Sequence, residues 1–77
     1  MGQLVNQFRK LKNNQVEDFV VGILTPQELD HLEKRLEIVK QLKQGVSHRV
    51  IAESLNVGIA TVTRGSRELG KGRFKYV

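Results

Sequence analysis

The segment Thr25–Glu28 (TPQE) constrains the fold more than any other part of the chain, because it carries three helix-start signals together. Threonine is a good N-cap, proline is preset for the first helical position, and glutamate three residues after threonine completes a capping box. The following stretch contains neither proline nor glycine until Gly45, a residue type that favours helix ends. We therefore predict a helix over residues 26–44 with one apolar stripe, formed by Leu29, Leu32, Leu36, Ile38, Val39 and Leu42.

The residues before this helix follow a weaker helical pattern. Apolar side chains recur at helical spacing in two groups, and the polar pair Asn13 and Asn14 separates them. Gly22 weakens the last turn of the second group. We predict either one interrupted helix or two short helices over residues 3–23, with apolar positions at Leu4, Val5, Phe8, Leu11, Val16, Phe19, Val20 and Ile23.

The segment 47–69 has the pattern of a helix-turn-helix. Ser47 is a suitable N-cap for a first short helix, Asn56–Gly58 forms the turn, and Ile59–Leu69 forms the second helix. Either the first or the last residue of the turn can adopt the left-handed geometry that a tight turn requires. Close packing of the two helices also needs one small residue and several inward apolar ones, here Ala52, Ile51, Leu55, Val57 and Val62. This spacing favours a DNA-binding motif, with an ordinary helical hairpin as the alternative.

The length and composition limit the other architectures. With 77 residues and no cysteine, we predict a single all-α domain without disulfides or thiolate zinc sites. His31 and His48 lie on separate predicted helices, so we predict no metal site. A domain this small buries little surface, and association with a second copy is the favoured stabiliser. Along the single domain 1–77 we distinguish N-terminal dimerisation helices, a central helix, the helix-turn-helix and a tail, at residues 1–24, 25–45, 47–69 and 70–77.

No apolar run reaches the roughly 20 residues that a membrane-spanning helix needs. We therefore predict no membrane partner and a cytoplasmic location. The tail is too short to assign. Gly70 and Gly72 are predicted to end the preceding helix, and Phe74 and Tyr76 either fray or dock on a partner subunit.

Positive charge is concentrated at the C-terminal end of the chain. The net charge is +5, and residues 46–77 contain only Glu53 and Glu68 as acidic residues, against the basic residues Arg49, Arg64, Arg67, Lys71, Arg73 and Lys75. Such a block is typical of a protein with a polyanionic partner, here double-stranded DNA. A solvated basic face is the alternative interpretation.

The second helix of the motif is predicted to read the DNA. Ile59, Ala60 and Thr63 lie in its N-terminal turns, where small and methyl-bearing side chains suit close contact with base edges. Hydroxyl and basic side chains on both helices are predicted to contact phosphates, namely Thr61, Thr63, Ser66, His48 and Arg49. Each hydroxyl could instead be an ordinary surface or back-bonded group.

The run Gly58–Ser66 (GIATVTRGS) is more specific than the spacing alone. It is accompanied by scattered matches at Leu24, Thr25, Pro26, Arg35, Ile38, Val39, Gly45, Ser47, Arg49 and Leu55. Together these residues closely resemble the bacterial tryptophan repressor family, over about residues 24–69. The resemblance implies an intertwined homodimer whose recognition helices enter the major groove of a palindromic operator. Half-sites in helix-turn-helix dimers lie about 34 Å apart.

The resemblance also implies a ligand, L-tryptophan, as corepressor. The indole is expected between Arg35 and Arg64, since guanidinium planes stack on aromatic faces. Thr25 matches a threonine that helps to bind the carboxylate. Gly22 and Leu24 match positions whose backbone carbonyls receive the amino group.

Three positions on the second helix complete the predicted ligand site. They are Thr61; Gly65, which would let the ligand or another backbone approach; and Glu68. Glu68 stands where the family usually has a serine near the ligand's ammonium group. A carboxylate there could accept a hydrogen bond from the ammonium or repel the ligand's carboxylate.

The chain also departs from the family at its DNA-facing and terminal positions. Ala52 and Gly70 stand where the best-known members have lysines that approach DNA; the residues that could compensate are Arg67, Lys71 and Arg73. Relative to the family, the N-terminal segment is short and the final helix is nearly absent, so a short or divergent member is expected.

These features predict a transcriptional repressor with L-tryptophan as corepressor and no other cofactor. One alternative is a helix-turn-helix protein that binds DNA without a ligand, which Glu68 favours. The other is a helical dimerisation module that has lost DNA binding. We predict no enzyme, because the sequence offers no nucleophile–base set, no phosphate-binding glycine loop and no carboxylate pair in a plausible cleft.

Overall fold

The fold is all-helical. A computed structural model describes residues 2–77, and in this range it contains no strand and five α-helices, α1 (Gly2–Lys10), α2 (Val16–Ile23), α3 (Pro26–Lys43), α4 (His48–Leu55) and α5 (Ile59–Gly70). A short 3-10 turn, Asn13–Gln15, follows α1, so the N-terminal pattern forms two short helices and not one interrupted helix. The all-α prediction is confirmed. Within the same range, no helix is both long and apolar enough to cross a bilayer.

Contacts divide the chain into two compact units, Met1–Asp30 and His31–Val77. The boundary falls inside α3, a few residues after the helix start that we placed at Thr25. We therefore describe each unit separately. Our assignment of the whole chain to one domain stays a prediction.

The first unit is formed by short helices with exposed apolar faces. Neither α1 nor α2 contains a buried residue. The rings of Phe8 and Phe19 pack edge to face, with centroids 5.2 Å apart. At its end the predicted capping box is present. The amide of Glu28 donates to Oγ1 of Thr25 over 3.1 Å, and the amide of Thr25 donates to Oε1 of Glu28 over 2.9 Å.

The second unit contains the hydrophobic core. Ile38 of α3, Ile51 of α4 and Val62 of α5 are each at most 1% exposed. Partly buried side chains surround them, namely Leu42, Val46, Ala52, Leu55 and Val57. The inward positions predicted for the helix-turn-helix are thus confirmed. Within the predicted stripe of α3, Ile38 and Val39 are buried, whereas Leu32 and Leu36 are 43% and 41% exposed and lie outside the core.

Local backbone geometry fixes how α4 and α5 join. Ser47 caps α4 by accepting from the amide of Val50. The left-handed residue of the turn is Asn56, with φ of 54°, whereas Gly58 is extended and precedes α5. Asparagine tolerates this conformation better than most residues other than glycine. After α5 the chain turns at Gly72, with φ of 90°, and Gly70 remains helical.

Candidate ligand pocket and nucleic-acid interface

A pocket of about 290 Å³ lies within the second unit, bounded by α3, α5 and the C-terminal tail. Two sets of residues with the same i, i+3, i+4, i+7 spacing line it. They are Leu32, Arg35, Leu36 and Val39 on α3 and Thr61, Arg64, Gly65 and Glu68 on α5. Residues at this spacing share one face of a helix. The exposed leucines of α3 are therefore pocket residues, which explains why they do not join the core.

The pocket gathers most of the predicted ligand-binding residues. Five of them line it: Arg35, Arg64, Thr61, Gly65 and Glu68. The other three, Gly22, Leu24 and Thr25, belong to the first unit and do not line it. Their predicted contacts with a ligand stay predictions.

Gly65 allows α5 to approach α3 closely. A Cβ atom at this position would lie 3.3 Å from Cγ2 of Ile38 and 3.5 Å from Cδ1 of Leu42. The first distance is tighter than ordinary van der Waals contact, so a larger residue would require the buried Ile38 side chain to shift by a few tenths of an ångström. The neighbours that Gly65 accommodates are core side chains of α3, whereas the sequence pointed to a ligand or a second backbone.

The negative charge of Glu68 is partly compensated by Lys71, which directly follows α5. Nζ of Lys71 lies 3.5 Å from Oε1 of Glu68, whose side chain is 29% exposed. A nearby cation reduces the repulsion that an isolated carboxylate would exert on a ligand's carboxylate. The remaining carboxylate oxygen can still accept a hydrogen bond from an ammonium group. Among residues 2–77, no three side chains of His, Asp or Glu are grouped to hold a metal ion.

The tail contributes two pocket residues that the sequence did not indicate. Phe74 and Val77 both line the pocket. Phe74 lies against its own chain and is not frayed, whereas Tyr76 is 99% exposed. Docking of either residue on a partner subunit stays a prediction. The sequence of the tail does not indicate that it packs against the pocket, because the hydrogen bonds that hold it come from Lys43, 31 and 34 positions earlier in the chain.

A different face of α5 carries the predicted DNA contacts. With about 100° between successive residues, the predicted positions on one side of α5 are Ile59, Ala60, Thr63, Ser66 and Arg67. Of these, Thr63 and Ser66 are half-buried and the others are exposed. Thr61, which we assigned to both functions, lies on the pocket face. Arg64 lies at the border between the two faces.

The basic residues that surround this face are accessible. Arg64, Arg67, Lys71, Arg73 and Lys75 are all exposed. At the start of α4, His48 is half-buried, and Arg49 donates to Glu53 over 3.3 Å. Such an exposed pair is worth little, so Arg49 can exchange this partner for a phosphate at small cost. The arrangement suits a surface that approaches a polyanion.

Comparison with known proteins identifies the family of the chain. The family model of the Trp repressor protein matches residues 1–77. The Trp operon repressor homolog of Vibrio campbellii is 42% identical over 69 residues, which are 87% of this chain and 69% of that protein. The homolog of Vibrio cholerae is 45% identical over 60 residues, 77% of this chain and 58% of that protein. The homolog of Photobacterium profundum is 42% identical over 69 residues, 87% of this chain and 67% of that protein.

The chain thus spans about two thirds of the length of these relatives, or somewhat less. No solved structure matches it significantly. The family match extends beyond the residues on which the resemblance was first based and includes the N-terminal helices. The chain therefore belongs to the Trp repressor family, a family of DNA-binding regulators and not of enzymes.

Proposed function

We propose that this protein is a transcriptional repressor that binds a palindromic operator as a homodimer, with L-tryptophan as corepressor. The observation that carries the proposal is the shared pocket of Arg35 and Arg64, which lies against the helix predicted to read DNA. The volume of about 290 Å³ is near the lower limit for small-molecule sites. It therefore suits a ligand the size of an amino acid.

The chemistry of the pocket matches the parts of such a ligand. Apolar side chains of α3, Leu32, Leu36 and Val39, offer a surface for an aromatic ring. Guanidinium groups can stack on that ring or pair with a carboxylate. Glu68, with Lys71 beside it, supplies an acceptor for the ligand's ammonium group.

The position of the pocket suggests how a ligand would control DNA binding. Helix α5 presents one face to the pocket and an adjacent face to DNA, with Arg64 between them. A ligand that contacts Arg64 and α3 restricts the orientations that α5 adopts. If those orientations suit the major groove, ligand and DNA each increase the affinity for the other, since such coupling is reciprocal.

Calorimetric titration with L-tryptophan tests the ligand site. We expect Arg35→Ala and Arg64→Ala each to weaken binding about tenfold or more, because hydrogen bonds to charged groups contribute about 1.5–3 kcal/mol. Arg67→Ala is the matched control, since Arg67 lies on the same helix but does not line the pocket. A wild-type chain that does not bind L-tryptophan would contradict the corepressor and leave a ligand-independent DNA-binding protein.

The salt dependence of DNA binding tests whether the partner of this protein is DNA. A protein that neutralises several phosphates loses affinity steeply as salt concentration rises. We therefore expect binding to duplex DNA, followed by fluorescence anisotropy, to weaken strongly between about 50 and 200 mM salt. An absence of salt-dependent binding would indicate instead a dimerisation module without DNA-binding activity.

A further inference from the structure

The tail after α5 folds back across the pocket and is tied to α3. Nζ of Lys43, in the last turn of α3, donates to the backbone oxygen of Val77 over 2.8 Å and also to the backbone oxygen of Phe74. These contacts join residues 31 and 34 positions apart in sequence. The chain turns at Gly72, with φ of 90°, before it reaches these residues. One lysine thus holds both tail residues that line the pocket.

The backbone of Phe74 adopts a conformation that is unfavourable for phenylalanine. Its φ is 63°, in the left-handed region, where a bulky residue other than glycine is uncommon. Such residues persist when the surrounding contacts determine their geometry. Here the bond from Lys43 to the Phe74 oxygen and the placement of the ring at the pocket are those contacts.

Phe74 bounds the pocket but does not fill it. The volume of about 290 Å³ is present with the tail in place. The Phe74 side chain lines that space and remains 38% exposed. The other lining residues belong to α3 and α5 and include both arginines. A ligand in this space would therefore meet an aromatic ring on the tail side.

We propose that Phe74 is a specificity-determining residue of the pocket, which favours L-amino acids with a flat aromatic side chain, and that Lys43 is its positioning residue. This inference rests on the proposed ligand function. An aromatic ring contributes more to an aromatic ligand than to an aliphatic one, because edge-to-face and offset contacts add to simple burial. The arginines contact only the carboxylate and the flat face of a ligand. Phe74 therefore increases the preference for aromatic over aliphatic amino acids beyond what the arginines alone provide.

Calorimetric titration of the full chain with L-tryptophan and L-leucine tests the role of Phe74. We expect Phe74→Ala to weaken L-tryptophan binding about 3- to 10-fold and to reduce the preference over L-leucine. Tyr76→Ala is the matched control, because Tyr76 is an aromatic residue of the same tail that is 99% exposed. If Phe74→Ala binds like the wild type, the inference is overturned while the proposed corepressor stands. If the wild type does not bind L-tryptophan, both fail.

A second variant separates the ring from the backbone conformation. Phe74→Gly removes the ring as Phe74→Ala does, but glycine adopts a positive φ without strain. We expect both variants to lose the same ligand preference. If Phe74→Gly instead retains wild-type affinity and preference, Phe74 acts only through the shape of the tail and the inference is overturned.

The role of Lys43 is tested by its conservative replacements. Lys43→Met keeps the apolar stem but removes the donor, and we expect it to weaken L-tryptophan binding and to lower the preference over L-leucine. Lys43→Arg keeps a donor and is expected to restore most of both. Lys40→Met, one turn earlier on the same helix, is the control for a lost charge. Equal effects of the two methionine variants would contradict the positioning role.

Discussion

The two units of the chain have similar patterns of apolar residues but differ in how deeply they bury them. In residues 2–30 no large apolar side chain is buried, and Leu4, Phe8 and Ile23 are 44%, 42% and 55% exposed. In residues 31–77, Ile51 and Val62 are fully buried, at 0% exposed. The difference does not come from the presence of apolar residues, because both regions contain valine, isoleucine and leucine at helical spacing.

The difference comes from how many helices converge on one point. In the second unit, α3, α4 and α5 each contribute one residue to a shared core. In the first unit, α1 and α2 are short and bury no residue, and one aromatic contact between Phe8 and Phe19 links their faces. Contiguous exposed apolar surface marks an interaction site. Large apolar side chains are exposed in the first unit, and we propose that they contact the second copy in the proposed homodimer.

The largest expected effect concerns the core. Ile51→Ala should lower the free energy of unfolding by about 2–5 kcal/mol, since it leaves a cavity in a packed core. The matched variant Ile23→Ala removes the same atoms from a residue that is 55% exposed, and at concentrations where the chain is monomeric it should cost about 0.5 kcal/mol or less. Urea denaturation followed by circular dichroism measures both. Equal losses would mean that the two units are not different in packing.

An intermediate effect is expected at the exposed surface of the first unit. Phe8→Ala removes a large apolar side chain that is 42% exposed, and truncating such a residue at an interface costs about 1–2 kcal/mol or more. We therefore expect the dissociation constant of the homodimer to rise at least about fivefold, as measured by sedimentation equilibrium. Val50→Ala, at a residue that is 53% exposed in the second unit, is the control. A monomeric wild type would disprove the assignment of this surface.

A smaller effect is expected at the turn of the helix-turn-helix. Asn56 is left-handed, with φ of 54°. Replacement by alanine should cost about 1 kcal/mol, because alanine lacks the short polar side chain whose local hydrogen bonds let asparagine tolerate this region. Asn56→Gly should be nearly neutral, since glycine adopts this conformation freely. Thermal unfolding compares the stability of the two variants with that of the wild type. If alanine and glycine behave alike, the turn does not depend on left-handed geometry.

The sequence indicated the elements more reliably than their contacts. Local signals placed the start of α3 at Thr25 and the cap of α4 at Ser47, because each depends on hydrogen bonds within three residues. The core residues Ile51 and Val62 followed from helical spacing. The path of the tail could not be predicted, since it depends on Lys43, 31 residues before Phe74.

The candidate site shows the same division. The spacing placed Arg64 on the second helix, and the family resemblance, not the residues alone, paired it with Arg35. The structure shows that both arginines line one pocket, together with the exposed leucines of α3 and Phe74. The sequence placed Leu32 and Leu36 on one apolar stripe with Ile38 and Val39, and periodicity alone cannot distinguish a core face from the wall of an open pocket.

The most direct test of the proposed function is the affinity of the wild-type chain for DNA with and without L-tryptophan. A palindromic duplex selected from a random-sequence pool supplies the DNA, and fluorescence anisotropy at fixed salt concentration supplies the affinity. We expect saturating L-tryptophan to raise the affinity at least about fivefold, since allosteric coupling is typically about 1–3 kcal/mol. Equal affinity in the two conditions would contradict control of α5 through the pocket that Arg35 and Arg64 share.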